Sequence, residues 1–308
     1  LLRANLIAES YIPPKEIRRL REITRERRTF VKQTTQIKNK IKEDYELIIV
    51  APDKETLDAA RIYLKKTKRI KILRDEGKGK PAALNQVFKK AKGEIIIMTD
   101  ADVHISSKAI PYILGIFKDK NVGAVTGRPR SLSPKNKMLG FWSHLLTDVA
   151  HDIRHKRINE GKMIVCSGYL YAIRKGIIKG VPDEALSEDA VISHLIYDKG
   201  YKILYAPEAE VYVKYPTNFS DWIKQKKRSA GGYNQLSLMA KSKERMRSFG
   251  KETAGIFQVI RYPRSIKEFF YTFSLIFARI YLWLLIFWDI NIKKQTLKKI
   301  WVRVESTK

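Results

Sequence analysis

The sequence predicts an α/β sandwich with a largely parallel sheet, and three observations predict it. Short apolar runs alternate with helix-like segments from residue 46 to 206. The apolar fraction, 44% of 308 residues, is enough for a sizeable core. A pair of aspartates, Asp100 and Asp102, stands where one of the apolar runs stops, and in open α/β sheets ligands gather at the carboxyl ends of strands.

The elements follow in order. Glu46–Ala51 reads as a buried strand and Thr56–Lys66 as a helix. Residues 69–73 alternate like a strand, and the segment from Lys80 to Ala91 reads as a helix with Pro81 in its first turn. Glu94–Thr99 is a second buried strand, and Val122–Thr126 is a further short one. Residues 207–262 are mixed and basic. Residues 269–288 form an apolar run interrupted by a single charge, Arg279. The organisation expected is a basic helical segment over 1–44, a catalytic domain over 45–250, a membrane-associated hydrophobic helix over 265–292 and a basic tail over 293–308.

Composition narrows the classes. With 61 Lys+Arg against 32 Asp+Glu, the formal charge is +29, which favours anionic partners such as phosphorylated ligands, lipid headgroups or nucleic acid. The single cysteine, Cys166, excludes a disulfide framework and reads as a small buried residue. A mean hydropathy of −0.32 excludes a polytopic membrane protein but not one apolar helix. No signal peptide is expected from Leu1–Tyr11.

The chemistry-bearing segments are few. Two carboxylates two residues apart at a strand end can address one hard cation, Mg2+ or Mn2+, together with phosphate oxygens; the plain alternative is a charged strand-to-loop turn. Upstream, Glu76-Gly-Lys-Gly-Lys-Pro-Ala-Ala-Leu-Asn85 is a glycine-lysine loop entering a helix, where exposed N–H groups with Lys78 and Lys80 suit a phosphorylated ligand. Downstream come Ser167-Gly168, Ser187-Glu188-Asp189 and Gln225-Lys-Lys-Arg228. Taken alone, Asp189 reads as an acid in the first turn of a helix that Ser187 could cap.

In that order and spacing, the segments resemble a family 2 glycosyltransferase over about residues 45–235. The resemblance implies a GT-A fold and a nucleotide-sugar donor. It implies that Asp53 lies near the nucleotide base and that Asp100 faces the ribose and diphosphate. It gives Asp102 to the divalent metal and Asp189 to the general base. Gln225 and Arg228 would contact the diphosphate or the donor–acceptor groove, Lys80 would help hold the diphosphate, and Ser167 and Gly168 form a loop beside the acceptor or donor sugar. The implied enzyme is a metal-dependent inverting transferase of the hexosyl or N-acetylhexosaminyl class, with a lipid-linked or glycan acceptor. It is membrane-associated with its catalytic domain cytoplasmic, and no nucleic-acid partner is expected.

Two departures stand against the family pattern. Ser229 follows Arg228 where the family continues with Trp, which weakens an inference of processive polymer synthesis. The family's opening strand is absent ahead of Glu46. In its place Arg3–Glu22 and Thr34–Ile41 resemble a linker of DEDD-type insertion-element transposases, so the fold is expected to lack its first strand unless Asn5–Ala8 substitutes. The competing readings are therefore a transposase-derived nucleic-acid-binding protein or an inactive fusion with a truncated transferase domain.

Other features read as structural. His151 and His155 have zinc-compatible spacing but no third ligand, and surface helix positions account for them. Trp222, Tyr212 and Tyr215 could line a sugar groove or simply pack. The basic run over 18–40 reads as a solvated helix face. The run over 269–288 is long enough to span a bilayer, and aromatic residues crowd both its ends; an in-plane or buried helix is the alternative.

Overall fold

A computed structural model describes residues 44–65, 67–239 and 259–292. The segment resembling a transposase linker, the substitute strand at Asn5–Ala8 and the basic tail over 293–308 lie outside the described residues.

The elements are β1 (Leu47–Ala51), α1 (Lys54–Leu64), β2 (Ile70–Arg74), α2 (Lys80–Lys90), β3 (Ile95–Thr99), β4 (His104–Ile105), α3 (Ala109–Ile116) and β5 (Val122–Ser131). They continue with α4 (Met138–Asn159), β6 (Leu170–Arg174), α5 (Glu188–Tyr197), β7 (Lys202–Val213), α6 (Phe219–Met239) and α7 (Ile266–Phe287). A π-helical turn, Trp288–Ile292, closes the described chain.

The strands form two sheets. β1 and β2 pair in parallel, and a five-stranded sheet runs in the order β3-β6-β5-β7-β4. The expectation of a largely parallel sheet needs correction. In the larger sheet only β5–β7 is parallel, while β3–β6, β5–β6 and β4–β7 are antiparallel. The odd strand is β6, which follows β5 through α4 and the 160–169 loop and inserts between β3 and β5 antiparallel to both.

Burial follows the pleat. On β6, Tyr171 and Ile173 face one side and pack with Leu84 and Phe88 of α2 and Val191, Ile192 and Ile196 of α5. Leu170 and Ala172 face the other side and pack with Ala109 and Ile113 of α3. The five-stranded sheet is therefore covered on both faces, which explains why its strands read as continuous apolar runs. A third cluster joins Phe141, Trp142 and Leu145 of α4 to Trp222 of α6 and to Leu275 and Ala278 of α7.

Among the described residues, β1 and β3 each have one edge without a partner strand. Glu46, just before β1, links the two sheets. Its carboxylate accepts from the Lys71 ammonium and from the Lys92 amide just ahead of β3.

Candidate active site

The site forms where β3 ends and β6 begins. Thr99 Oγ1 donates to the Tyr169 carbonyl at 2.9 Å, so the Asp-X-Asp turn is fastened to the loop leading into β6. That loop is held from below: Ser167 N donates to Thr126 Oγ1 at 2.9 Å, and Cys166 N donates to Ser193 Oγ at 2.9 Å. Ser193 Oγ in turn donates to the Asp189 carbonyl at 2.6 Å, tying the same loop to the first turns of α5.

Lys80 is the hub. It opens α2 after Gly79, whose φ of 105° admits glycine readily and turns the chain so that the helix starts toward the cleft. Its Nζ stands 2.8 Å from Asp100 Oδ1 and 2.8 Å from Glu188 Oε1. Burial alone would lower the Lys80 pKa, but the Glu188 and Asp100 charges outweigh it and hold the ammonium well above its usual range. Lys78 pairs instead with Glu76 at 2.6 Å, in an exposed ion pair of little energetic weight.

Asp189 sits opposite. Its Oδ2 accepts from Gly168 N at 2.8 Å and its Oδ1 from Ala190 N at 2.8 Å. A Cβ placed on Gly168 would lie 3.3 Å from Asp189 Oδ2 and 3.6 Å from Lys80 Nζ, so the loop backbone touches both groups. Burial, and then the neighbouring Glu188 charge, push the Asp189 pKa up to about 6, against the opposing pull of Lys80 and the two amides. The residue is in the first turn of α5, and its carboxylate also meets the Gly168 loop ahead of β6.

Asp102 lies at the exposed rim. Partial desolvation and then Asp100 raise its pKa, while Lys80 and Arg228 pull it down. A carboxylate whose proton affinity is raised by burial and by a neighbouring carboxylate is one that a divalent cation would stabilise. No cluster of three or more carboxylate, imidazole or thiolate ligands occurs among the described residues. Asp100 and Asp102 would therefore hold a cation jointly with ligand oxygens. That donor set fits Mg2+ or Mn2+, which usually keep phosphate oxygens in their shell.

Arg228 acts on Asp102 and on Tyr169, and Gln225 lies one helical turn before it on α6. Among the described residues, Gln225 Oε1 is buried with no hydrogen-bond partner. Asp53 has a task the sequence reading missed. Its Oδ1 accepts from Thr56 N at 2.8 Å and caps α1, which fixes an exposed carboxyl at the carboxyl end of β1.

Several residues were not singled out from sequence. Glu188 shares Lys80 with Asp100. Tyr171, fully buried, feels Lys80 and Glu188 from beneath the cleft. Asn85 reaches across to the loop before α5: its Nδ2 donates to the Val181 carbonyl at 2.8 Å and its Oδ1 accepts from Val181 N at 2.8 Å. No local signal marks Glu188 except its place beside Asp189; Asn85 was visible only as part of the Ala-Leu-Asn string. The histidine pair carries no metal signature, since His151 Nδ1 is 2.8 Å from the Tyr205 hydroxyl. Trp222 packs against Trp142 with ring centroids 5.2 Å apart, which settles it as core. Cys166 is buried, and burial pushes its thiol up to about 12.

A family model described as "Glycosyltransferase like family 2" matches residues 31–232, more than half of the chain. The chain belongs to that family. The match begins inside the 1–44 segment expected to lie outside the domain. A probable glycosyltransferase, YdaM of Bacillus subtilis (strain 168), is 32% identical over 170 residues, covering 53% of this chain and 40% of the relative. Poly-beta-1,6-N-acetyl-D-glucosamine synthase of Staphylococcus aureus (strain COL) is 29% identical over 203 residues, covering 64% of this chain and 49% of the relative. The chain thus spans about half the length of the curated relatives it matches. Among solved structures, a mannosyltransferase from Pyrobaculum calidifontis in complex with GDP-Man and Mn2+ superposes with a TM-score of 0.54 at 16% identity, covering 82% of this chain and 79% of that one. That likeness bears out the GT-A fold expected from the sequence.

Proposed function

We propose that this family 2 glycosyltransferase moves a sugar from a nucleotide-sugar donor to a hydroxyl of a lipid-linked or glycan acceptor, with inversion at the anomeric carbon. The observation that supports the reading is the Lys80 bridge, whose ammonium lies 2.8 Å from Asp100 Oδ1 and 2.8 Å from Glu188 Oε1 and so joins the Asp-X-Asp turn to the start of α5. The poly-N-acetylglucosamine synthase and the GDP-Man-bound mannosyltransferase support a nucleotide-sugar donor of the hexosyl or N-acetylhexosaminyl class.

In this mechanism Lys80, Gln225 and Arg228 bind and orient the donor diphosphate, and Asp53 stands by the nucleotide base. Asp100 and Asp102 would hold Mg2+ or Mn2+, which when bound neutralises charge on the diphosphate. Asp189 takes the acceptor hydroxyl's proton as that oxygen attacks the anomeric carbon. The bond from that carbon to the diphosphate oxygen breaks, its electron pair leaves with the nucleoside diphosphate, and the Lys80 and Arg228 cations stabilise the departing charge. A single displacement with one base inverts the centre. The half-buried setting that raises the Asp189 pKa makes it a better proton acceptor than an ordinary carboxylate.

The catalytic domain is placed at the cytoplasmic face of a membrane. α7, 22 residues long and mostly unburied along its most apolar stretch, is the apolar helix of the described residues, and it supports the membrane association.

The test is thermal stabilisation of the full chain by UDP or GDP with and without Mn2+. The expected result is a Mn2+-dependent shift of several degrees with one nucleotide, abolished in Asp102→Ala. Equal shifts in that variant would overturn the metal assignment, and no shift with either nucleotide would overturn the donor class.

A further inference from the structure

α7 divides its surface lengthwise. Thr272, Leu275, Ala278, Leu282 and Ile286 are buried against the protein. On the opposite side Ile266, Phe270, Phe273, Phe277, Ile280, Leu284 and Phe287 recur every three or four residues, and all are exposed, Ile266 to 80%, Phe270 to 64% and Leu284 to 62%. The helix's three charged residues, Lys267, Glu268 and Arg279, all fall outside that stripe by helical spacing. A continuous apolar stripe of this length marks an interaction surface.

The attachments say what kind of surface it is. Near its start, the Tyr271 carbonyl accepts from Trp142 Nε1 at 2.6 Å and Ser274 Oγ lies 3.5 Å from Met138 Sδ, both partners on α4. Near its end, the Tyr281 ring stacks on Phe219 with centroids 6.4 Å apart, and Asp289 pairs with Lys227, both partners on α6. Tyr271 and Asp289 are about five helical turns apart, or roughly 27 Å at the α-helical rise. That is nearly the thickness of a bilayer's hydrocarbon core. A helix crossing the bilayer would carry its α4 partners to one interface and its α6 partners to the other, or strip one set away. Tethered at both ends to one domain, it can lie flat instead.

Charge supports the same orientation. Arg261, Arg264 and Lys267 are exposed at the start of α7, with Lys135 and Lys137 exposed on the adjoining loop, where the Tyr271 hydroxyl reaches the Asn136 carbonyl. Basic residues flanking an apolar stripe suit an interfacial helix on anionic lipid. We propose that α7 is an in-plane membrane-docking helix, seating its Phe270–Phe273–Phe277–Leu284 stripe in an anionic lipid surface without crossing it. This deepens the membrane placement in the functional reading and does not depend on the donor chemistry. Because α6 also bears Gln225 and Arg228, docking holds the cleft close to the lipid plane.

The test uses the full chain, in a Cys166→Ser background, carrying Arg264→Cys or Ile292→Cys. Each is expressed in a bacterium and probed with an impermeant maleimide in spheroplasts and in inverted membrane vesicles. In-plane docking predicts that both positions label in the inverted vesicles and neither in spheroplasts. Labelling of the two positions from opposite sides would overturn the proposal in favour of a spanning helix. Recovery of the protein in the soluble fraction would overturn it together with the membrane placement, leaving the donor reading intact. A second measurement uses purified protein and vesicles of phosphatidylcholine with or without phosphatidylglycerol. Binding should be at least tenfold tighter with phosphatidylglycerol and at least tenfold weaker in Phe273→Glu/Phe277→Glu, whose Mn2+–nucleotide thermal shift stays unchanged. Equal binding across lipids and variants would refute the docking stripe.

Discussion

Lys80 Nζ stands 2.8 Å from Glu188 Oε1, and this contact sets opposing pulls on the neighbouring base. Glu188 raises the Asp189 pKa and Lys80 lowers it, on top of the larger effect of burial. Asp189 must be ionised to accept a proton, so kcat/KM should fall as pH drops through about 6. Glu188→Gln removes the repulsion and should move that acid limb to lower pH. Lys80→Met removes the attraction, should move the limb to higher pH, and should raise the donor KM about tenfold through the lost cation. A pH–rate series for the three proteins checks this; limbs that coincide would remove Asp189 from the base role.

Asp189→Asn separates chemistry from binding. Loss of a general base should lower turnover about 10²–10⁴-fold, with nucleotide-induced thermal shifts within a few degrees of the parent. The fold should not suffer. The folded pKa, about 6, lies above the ordinary value of 3.8, so the ionised carboxyl costs stability above that range and its neutral replacement does not. A midpoint at pH 7.5 equal to or above the parent's is expected by differential scanning fluorimetry. A large drop would mean that the Gly168 and Ala190 hydrogen bonds, not the charge, are what Asp189 supplies.

Gly168→Ala probes the loop between the two groups. The added methyl would meet Asp189 Oδ2 at 3.3 Å, tighter than ordinary contact, so the carboxylate must shift by a few tenths of an ångström. Displacements of that size at a reacting group are costly to rate and cheap to stability. Turnover should fall about tenfold with the thermal midpoint within a few degrees. Unchanged turnover would show that Asp189 tolerates displacement and is not held for attack.

Much of the site was legible because its residues come as short strings at element ends. Asp100 and Asp102 follow an apolar strand, Lys80 opens a helix after two glycines, and Asp189 lies in the first turn of another helix. Strand direction was less legible. β6 is as apolar as a parallel strand because the sheet is covered on both faces, and the helix α4 ahead of it looks like a crossover, so nothing local marks it as antiparallel. Contacts remote in sequence left no local trace: the Glu188 bridge to Lys80 and the lengthwise tethering of α7 depend on which surfaces meet. Hydropathy alone marked α7 as apolar. Its one-sided burial, which separates a flat helix from a spanning one, depends on Trp142, Phe219 and Trp222, more than forty residues away in sequence.

Asn85 offers the sharpest test of a positioning role. Its amide makes a two-way bond with Val181, donating to the carbonyl and accepting from the amide, both at 2.8 Å. A Cβ on Gly180 would approach Asn85 Oδ1 to 3.0 Å, so the turn is packed tightly on this side chain. The pinned loop runs directly into Ser187 and α5, where Glu188 and Asp189 sit. Asn85→Ala leaves the Val181 N–H and carbonyl to find water or remain unpaired, at a cost of about 1–3 kcal/mol. Asn85→Asp keeps an acceptor for Val181 N but removes the donor to its carbonyl and to Asp183 Oδ1, which accepts from Asn85 Nδ2 at 3.1 Å, and sets two carboxylates together. The thermal midpoints of both variants are expected below the parent's. Because the loop steers Asp189 and not the nucleotide, kcat should fall further than KM rises in both variants. A matching rise in KM with kcat preserved would show that Asn85 serves donor binding instead.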